Sequence, residues 1–127
     1  MILHIKIITL KKYKMKKVLI IMLFLGTLIS FGQEKKNKNA KATFEINGNC
    51  EHCKQRIEKA SYAISGVKMA TWSMETHQLS VIFNEEKTSA SNLKKAIAKV
   101  GHDSDEEKST PETYEKLPGC CQYERKK

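Results

Sequence analysis

In the stretch "ATFEI", apolar and polar side chains alternate: Ala42, Phe44 and Ile46 fall on one side, Thr43 and Glu45 on the other. A period of two predicts a half-buried strand. Gly48 and Asn49 interrupt it, and the period then changes. Cys53, Ile57, Ala60 and Ile64 recur at intervals of four, three and four, which makes one apolar stripe on a helix from about Cys53 to Ile64. Gly66 follows where a helix C-terminus favours a left-handed residue. Alternation returns from Val67 to Ser73, with Ala70 and Trp72 on one face, and from Gln78 to Phe83, with Leu79, Val81 and Phe83 inward. Glu75, Thr76 and His77 form the short connection. The two strands are therefore expected as an antiparallel hairpin, with His77 exposed at the far end of the sheet from the cysteine loop.

The next loop, "NEEKTSAS", offers Ser89 or Ser91 as a helix N-cap. Leu93, Ala96, Ile97 and Val100 give the second helix its apolar face, and Gly101 stops it. The order strand, helix, strand, strand, helix calls for a fourth strand. The stretch in place for it, "HDSDEEKST", holds no large apolar residue. It reads as a short edge strand whose charges discourage strand addition. Thr110, Pro111 and Glu112 then supply an N-cap, a proline at the first helical position and an acid in the first turn. Tyr114 and Leu117 are placed to dock this short helix, and Pro118-Gly119 end it.

The front of the chain is patterned differently. From Met15, "MKKVLIIMLFLGTLISFGQ" places two lysines ahead of an apolar run, Val18 to Ile29, and small residues at Ser30 and Gly32. This is the layout of an export signal cleaved after Gly32. The apolar run falls short of the roughly 20 residues a membrane span requires. Contact with a membrane is therefore expected only through the uncleaved segment, and the true start is either Met1 or Met15. The expected organisation is signal segment 1–32, polar linker 33–41, folded domain 42–106 and C-terminal extension 107–127. The mature protein is then periplasmic or secreted, where cysteines are able to oxidise.

Charge changes the picture less than its total suggests. The net charge is +9, from 23 Lys and Arg against 14 Asp and Glu. Six lysines lie within the first 17 residues, which hold no acid, so the remainder has 17 bases against 14 acids, a net of +3. No arginine-rich helix or RNA-binding signature is present, and no nucleic-acid partner is expected. Neither paired carboxylates nor a Ser-His-Asp arrangement points to catalysis.

The candidate chemistry lies in four cysteines. Cys50 and Cys53 stand at the mouth of the first helix, and Cys120 and Cys121 lie in the tail. A thiolate at a helix N-terminus is favoured by exposed backbone N–H groups. The sequence places Cys53 there, with Cys50 on the loop before it. Two soft sulfurs suit Cu(I), and also Zn(II) or Hg(II) with further ligands. The same pair also suits a dithiol–disulfide redox protein or a structural bridge. The tail pair is adjacent in sequence. Consecutive Cα atoms about 3.8 Å apart fall short of the usual disulfide span of about 4.4–6.8 Å, so a bridge between them is strained. The tail either folds back and adds sulfurs to the first pair or hangs free with incidental thiols.

The pieces "CEHC", "KQRIEKA", "GV" before the second strand, "LSVIF" and "LKKAIAKVGHD" together resemble the heavy-metal-associated domain, over Ala42 to about Asp105. That family includes small copper chaperones, mercury carriers and the amino-terminal modules of metal-pumping ATPases. The resemblance implies an α+β, ferredoxin-like βαββαβ fold, with two helices on a four-stranded antiparallel sheet and, here, a short helical C-terminal extension. It implies metal carriage rather than catalysis, with Cu(I) the first choice and a metal donor or acceptor protein, such as a metal-transporting ATPase, as partner. A further role, as a regulatory metal module of a transporter, belongs to the same family. The ligands implied are Cys50 and Cys53. The loop after the second helix lies beside the cysteine loop in this fold, which makes His102 a candidate third ligand. Cys120 and Cys121 are candidates from the tail. His52, between the cysteines, reads as a solvated loop residue. Members usually carry Gly-Met-x-Cys leading into the cysteine pair, with the methionine buried under the loop. Here Gly48-Asn49-Cys50 lacks that methionine and looks one residue shorter.

Overall fold

The computed structural model describes residues 2–26 and 32–127. It divides into two compact units, Met1–Lys35 and Lys36–Lys127. In the first, α1 (Ile2–Gly26) is a continuous helix. Its large apolar side chains from Ile7 to Ile21 are exposed, and Lys17 lies over the Tyr13 ring. Among the described residues, no helix is long and apolar enough to cross a membrane. The expected signal boundary falls largely outside the described residues, because Ser30 and Phe31 are not among them.

The second unit contains β1 (Ala40–Glu45), α2 (Glu51–Tyr62), β2 (Val67–Trp72), β3 (Gln78–Phe83), α3 (Ala90–Lys99), α4 (Pro111–Glu115) and a 3₁₀ turn, Gly119–Cys121. The sheet has the order β1-β3-β2, with both pairings antiparallel. Ala40, Phe44, Ala70, Trp72, Leu79, Val81 and Phe83 point to one face, where they join Ile57 of α2 and Leu93 and Ile97 of α3 in a single core. The other face carries Thr43, Thr71 and Ser80, all exposed. Burying one face against two amphipathic helices is what the alternating strand pattern demands. Ser89 caps α3 by accepting from the Asn92 N–H at 3.2 Å, as the sequence suggested.

Four expectations are corrected. The polar linker ends sooner than Lys41, since β1 begins at Ala40 and Asn37 exchanges hydrogen bonds with Glu85. The first helix begins at Glu51 rather than Cys53. The fourth strand shrinks to one antiparallel bridge, Ile46 with Ser104, so the described sheet has three strands. Its polar side chains take other work: Ser104 closes a turn with Glu107, while Asp105 and Glu106 both pair with the buried Lys94 of α3. Finally, His77 lies at the cysteine end of the sheet, not the far end. The register Glu45 with Gln78 brings the hairpin turn beside the end of β1, and the His77 ring stacks on Trp72 at 5.8 Å.

The C-terminal extension belongs to the compact unit. Thr110 caps α4 by accepting from the Thr113 N–H, with Pro111 at its start. Leu117 is buried against Gly101, whose φ of +105° and lack of side chain are both required: a Cβ there would lie 2.7 Å from a Leu117 methyl.

Candidate metal centre

The loop between β1 and α2 is supported from beneath by Trp72. Its ring lies under Gly48, where an added Cβ would come within 3.1 Å of it, and its Nε1–H donates to the Ile46 carbonyl at 3.0 Å. A buried aromatic ring thus supports a loop that lacks the methionine implied by the resemblance. Cys50 adopts extended backbone angles and serves as the N-cap position of α2, while Cys53 lies in the first turn with its side chain buried. The helix therefore starts at Glu51, two residues earlier than its apolar stripe suggested, with Cys50 as its cap position. The Asn49 N–H points at Cys53 Sγ, 3.4 Å away.

The tail closes over this pair. Cys121 is fully buried, and its Sγ lies 3.6 Å from Cys50 Sγ, while Cys50 and Cys53 sulfurs are 3.4 Å apart. All three sulfurs lie within 4.8 Å of one another. All four cysteines are free thiols. With metal–sulfur bonds of about 2.3 Å, three sulfurs around one ion in a plane sit about 4.0 Å apart, and two in a line about 4.6 Å. The observed spacing is nearer the three-coordinate arrangement, and small side-chain shifts suffice to reach it.

Electrostatics set Cys50 and Cys121 apart. Burial would raise Cys50, but the Cys53 backbone N–H and the thiols of Cys53, Cys121 and Cys120 outweigh it and hold Cys50 down at about 6. Burial, together with the neighbouring Cys53, Cys50 and Cys120, pushes Cys121 up to about 12. The cluster thus offers one ready thiolate and one thiol that gives up its proton only to a strong competitor such as a metal ion.

A set of tail contacts holds Cys121 in place. The Tyr123 hydroxyl donates to the Gly101 carbonyl and accepts from the Asp103 N–H, both at 2.8 Å. The Tyr114 hydroxyl donates to the Tyr123 carbonyl. Arg125 grips the fully buried Asp103 carboxylate through Nε at 2.8 Å and a terminal nitrogen at 2.9 Å, and donates to the Ser109 carbonyl at 2.6 Å. Burial would raise the Asp103 carboxyl, but Arg125 and the Ser109 N–H hold it below the usual range.

His102, a candidate third ligand from the sequence, is not brought together with the sulfurs. Neither group of donor atoms clustered within 4.8 Å among the described residues includes it. It is a core histidine, fully buried, with Nδ1 2.8 Å from the Asn47 carbonyl and its ring stacked on Tyr123. Burial lowers its pKa. The neutral ring donates from Nδ1 and so ties the cysteine loop to the segment after α3. His52, read from the sequence as a solvated loop residue, has Nδ1 3.7 Å from Cys120 Sγ and clusters with Cys50 and Cys120. The sequence placed it in the loop before the helix, whereas it lies in the first turn of α2; the sulfur opposite it depends on the tail folding back.

A three-sulfur cluster at the mouth of the first helix of a ferredoxin-like domain defines the class, a small metal-thiolate domain. The heavy-metal-associated domain family matches residues 43–103, and the chain belongs to that family. The copper chaperone CopZ of Staphylococcus saprophyticus is 34% identical over 65 residues, covering 50% of this chain and 96% of that protein. A CopZ of Staphylococcus aureus is 38% identical over 55 residues, or 43% of this chain and 81% of that protein. Among solved structures, a CopZ metallochaperone shares 33% identity with a TM-score of 0.50, covering 51% of this chain and 98% of that one. The N-terminal domain of a potential copper-translocating P-type ATPase from Bacillus subtilis, in its Cu(I)-loaded state, shares 36% identity at a TM-score of 0.50, over 52% and 84%.

Proposed function

We propose that this protein binds a soft metal ion, Cu(I) before Zn(II) or Hg(II), through Cys50, Cys53 and Cys121, and passes it by ligand exchange to the thiols of a partner. The observation that carries this reading is the set of three sulfurs gathered around Cys50 at 3.4 and 3.6 Å. Its support from relatives is that CopZ chaperones and a domain of a potential copper-translocating ATPase share the fold and about a third of the residues over about half of this chain. Soft thiolates favour Cu(I) over harder ions. A third sulfur from the same chain favours retention, so transfer requires a partner thiol to displace Cys121 first. A metal-transporting ATPase domain with its own thiol pair fits that role. The lysine-led apolar segment before Gly32 supports export, with the ion handled outside the cytoplasm.

Anaerobic titration of the reduced protein with Cu(I), against a chromophoric competitor, tests the reading. Cys50→Ser and Cys53→Ser are each expected to lose more affinity than the about 10–100-fold that removing a mere outer-shell partner of a ligand costs, with the fold retained. Parent-like affinity in the double variant would overturn it. Mass spectrometry of the secreted or periplasmic fraction tests export: the expected mature chain begins at Gln33, and an intact cytoplasmic chain contradicts it.

A further inference from the structure

Beside the three-sulfur cluster lies a second group of donor atoms that this reading leaves unused. His52 Nδ1 is 3.7 Å from Cys120 Sγ, and both fall within 4.8 Å of Cys50 Sγ. We propose that Cys50, His52 and Cys120 form a second soft-metal position, so that one protein molecule holds two Cu(I) ions bridged by the Cys50 sulfur. The inference rests on the three-sulfur cluster being a metal site and extends it.

Three observations carry it. First, the spacing fits. Around a three-coordinate ion, two sulfurs at about 2.3 Å lie about 4.0 Å apart, and a sulfur and a nitrogen at about 2.0–2.1 Å lie about 3.8 Å apart, close to the 3.7 Å between His52 and Cys120. Second, the fold presents the two groups on either side of one sulfur. The turn Gly119–Cys121 buries Cys121 towards Cys53 and leaves its neighbour Cys120 exposed, with their sulfurs 3.9 Å apart. Cys53, buried, and His52, exposed, are likewise neighbours in the first turn of α2. Cys50 therefore stands between an inner pair and an outer pair. Third, the chemistry balances. A thiolate sulfur has lone pairs enough to bridge two ions. The second ion brings one positive charge, and Cys120 gives up one proton to solvent on binding, so the net charge of the cluster is unchanged.

The two positions differ in access. The inner one is enclosed by Cys53 and Cys121, while the outer one is made with two exposed side chains. The outer position is the open one, where an incoming or departing ion meets a partner's thiols before or after residence inside.

Native mass spectrometry of the reduced, metal-free protein titrated anaerobically with Cu(I) tests this directly. The parent is expected to reach two ions per monomer. His52→Ala and Cys120→Ser are each expected to stop at one, with affinity for the first ion within about threefold of the parent, and circular dichroism should show both folded because both side chains are exposed. X-ray absorption should show a metal–metal distance in the parent at two equivalents and none at one. A parent that saturates at one ion per monomer, or that takes a second only as a dimer, overturns the second position and leaves the proposed function standing. So does retention of two ions in both variants. A parent that binds no Cu(I) overturns the proposed function as well.

Discussion

Cys50 is the residue on which the centre turns. Its sulfur is nearest both Cys53 and Cys121, and its thiol is held at about 6. In the metal-free protein, its rate of alkylation by iodoacetamide, followed residue by residue, is expected to rise with a midpoint near pH 6 and to level off by neutral pH. A midpoint at the ordinary thiol value of about 8.5 would contradict the arrangement. The CxxC pair was legible because two soft sulfurs at a helix mouth have few uses. His102 was misplaced because its position after α3 fits a ligand, while its Nδ1 is spent on Asn47. His102→Ala is therefore expected to loosen the loop and lower stability, without changing how metal affinity varies with pH. A changed pH dependence would return it to the ion. Trp72 is a third case. The strand alternation marked it as inward, but nothing in the sequence showed it beneath the cysteine loop. Trp72→Ala is expected to cost about 3–5 kcal/mol in chemical denaturation, and a loss under 1 kcal/mol would contradict its place in the core.

At the scale of elements, α2, α3 and the first three strands were legible because each has one apolar face at a clear period. The fourth strand was not, since its residues trade ladder bonds for side-chain pairing. Asp103 serves Arg125 and Ser109, and Ser104 turns on Glu107. The fold-back of the tail was open for the same reason: it depends on a buried carboxylate meeting an arginine 22 positions away, which no local period reveals. Arg125→Ala leaves the Asp103 charge buried without its partner, and is expected to destabilise the unit by on the order of 3 kcal/mol. It should also weaken the hold of Cys121 on the ion. Because the Asp103 carboxyl is lowered in the folded state, its contribution is complete above the usual carboxylate value of about 4 and is lost as pH falls below it. Denaturation of the parent should show that loss, and Asp103→Asn should flatten it. Equal pH profiles for the two would contradict the role given to the Asp103–Arg125 pair.

At the scale of the molecule, the chain combines a lysine-rich N-terminal segment with a nearly balanced metal-binding unit. The family was legible from "CEHC" and its surrounding pieces, and the relatives share the part of the chain that carries them. The family match ends at residue 103, so Cys121 lies outside the matched region while its sulfur joins those of Cys50 and Cys53. Under the proposed function, the ion is expected to leave only when a partner displaces Cys121. The number of sulfurs on the first ion decides between a two-sulfur and a three-sulfur centre. X-ray absorption of the reduced protein with one equivalent of Cu(I) reads it directly. Three sulfur neighbours in the parent, falling to two in Cys121→Ser, is the predicted result; two sulfur neighbours in the parent, unchanged by that substitution, would contradict it.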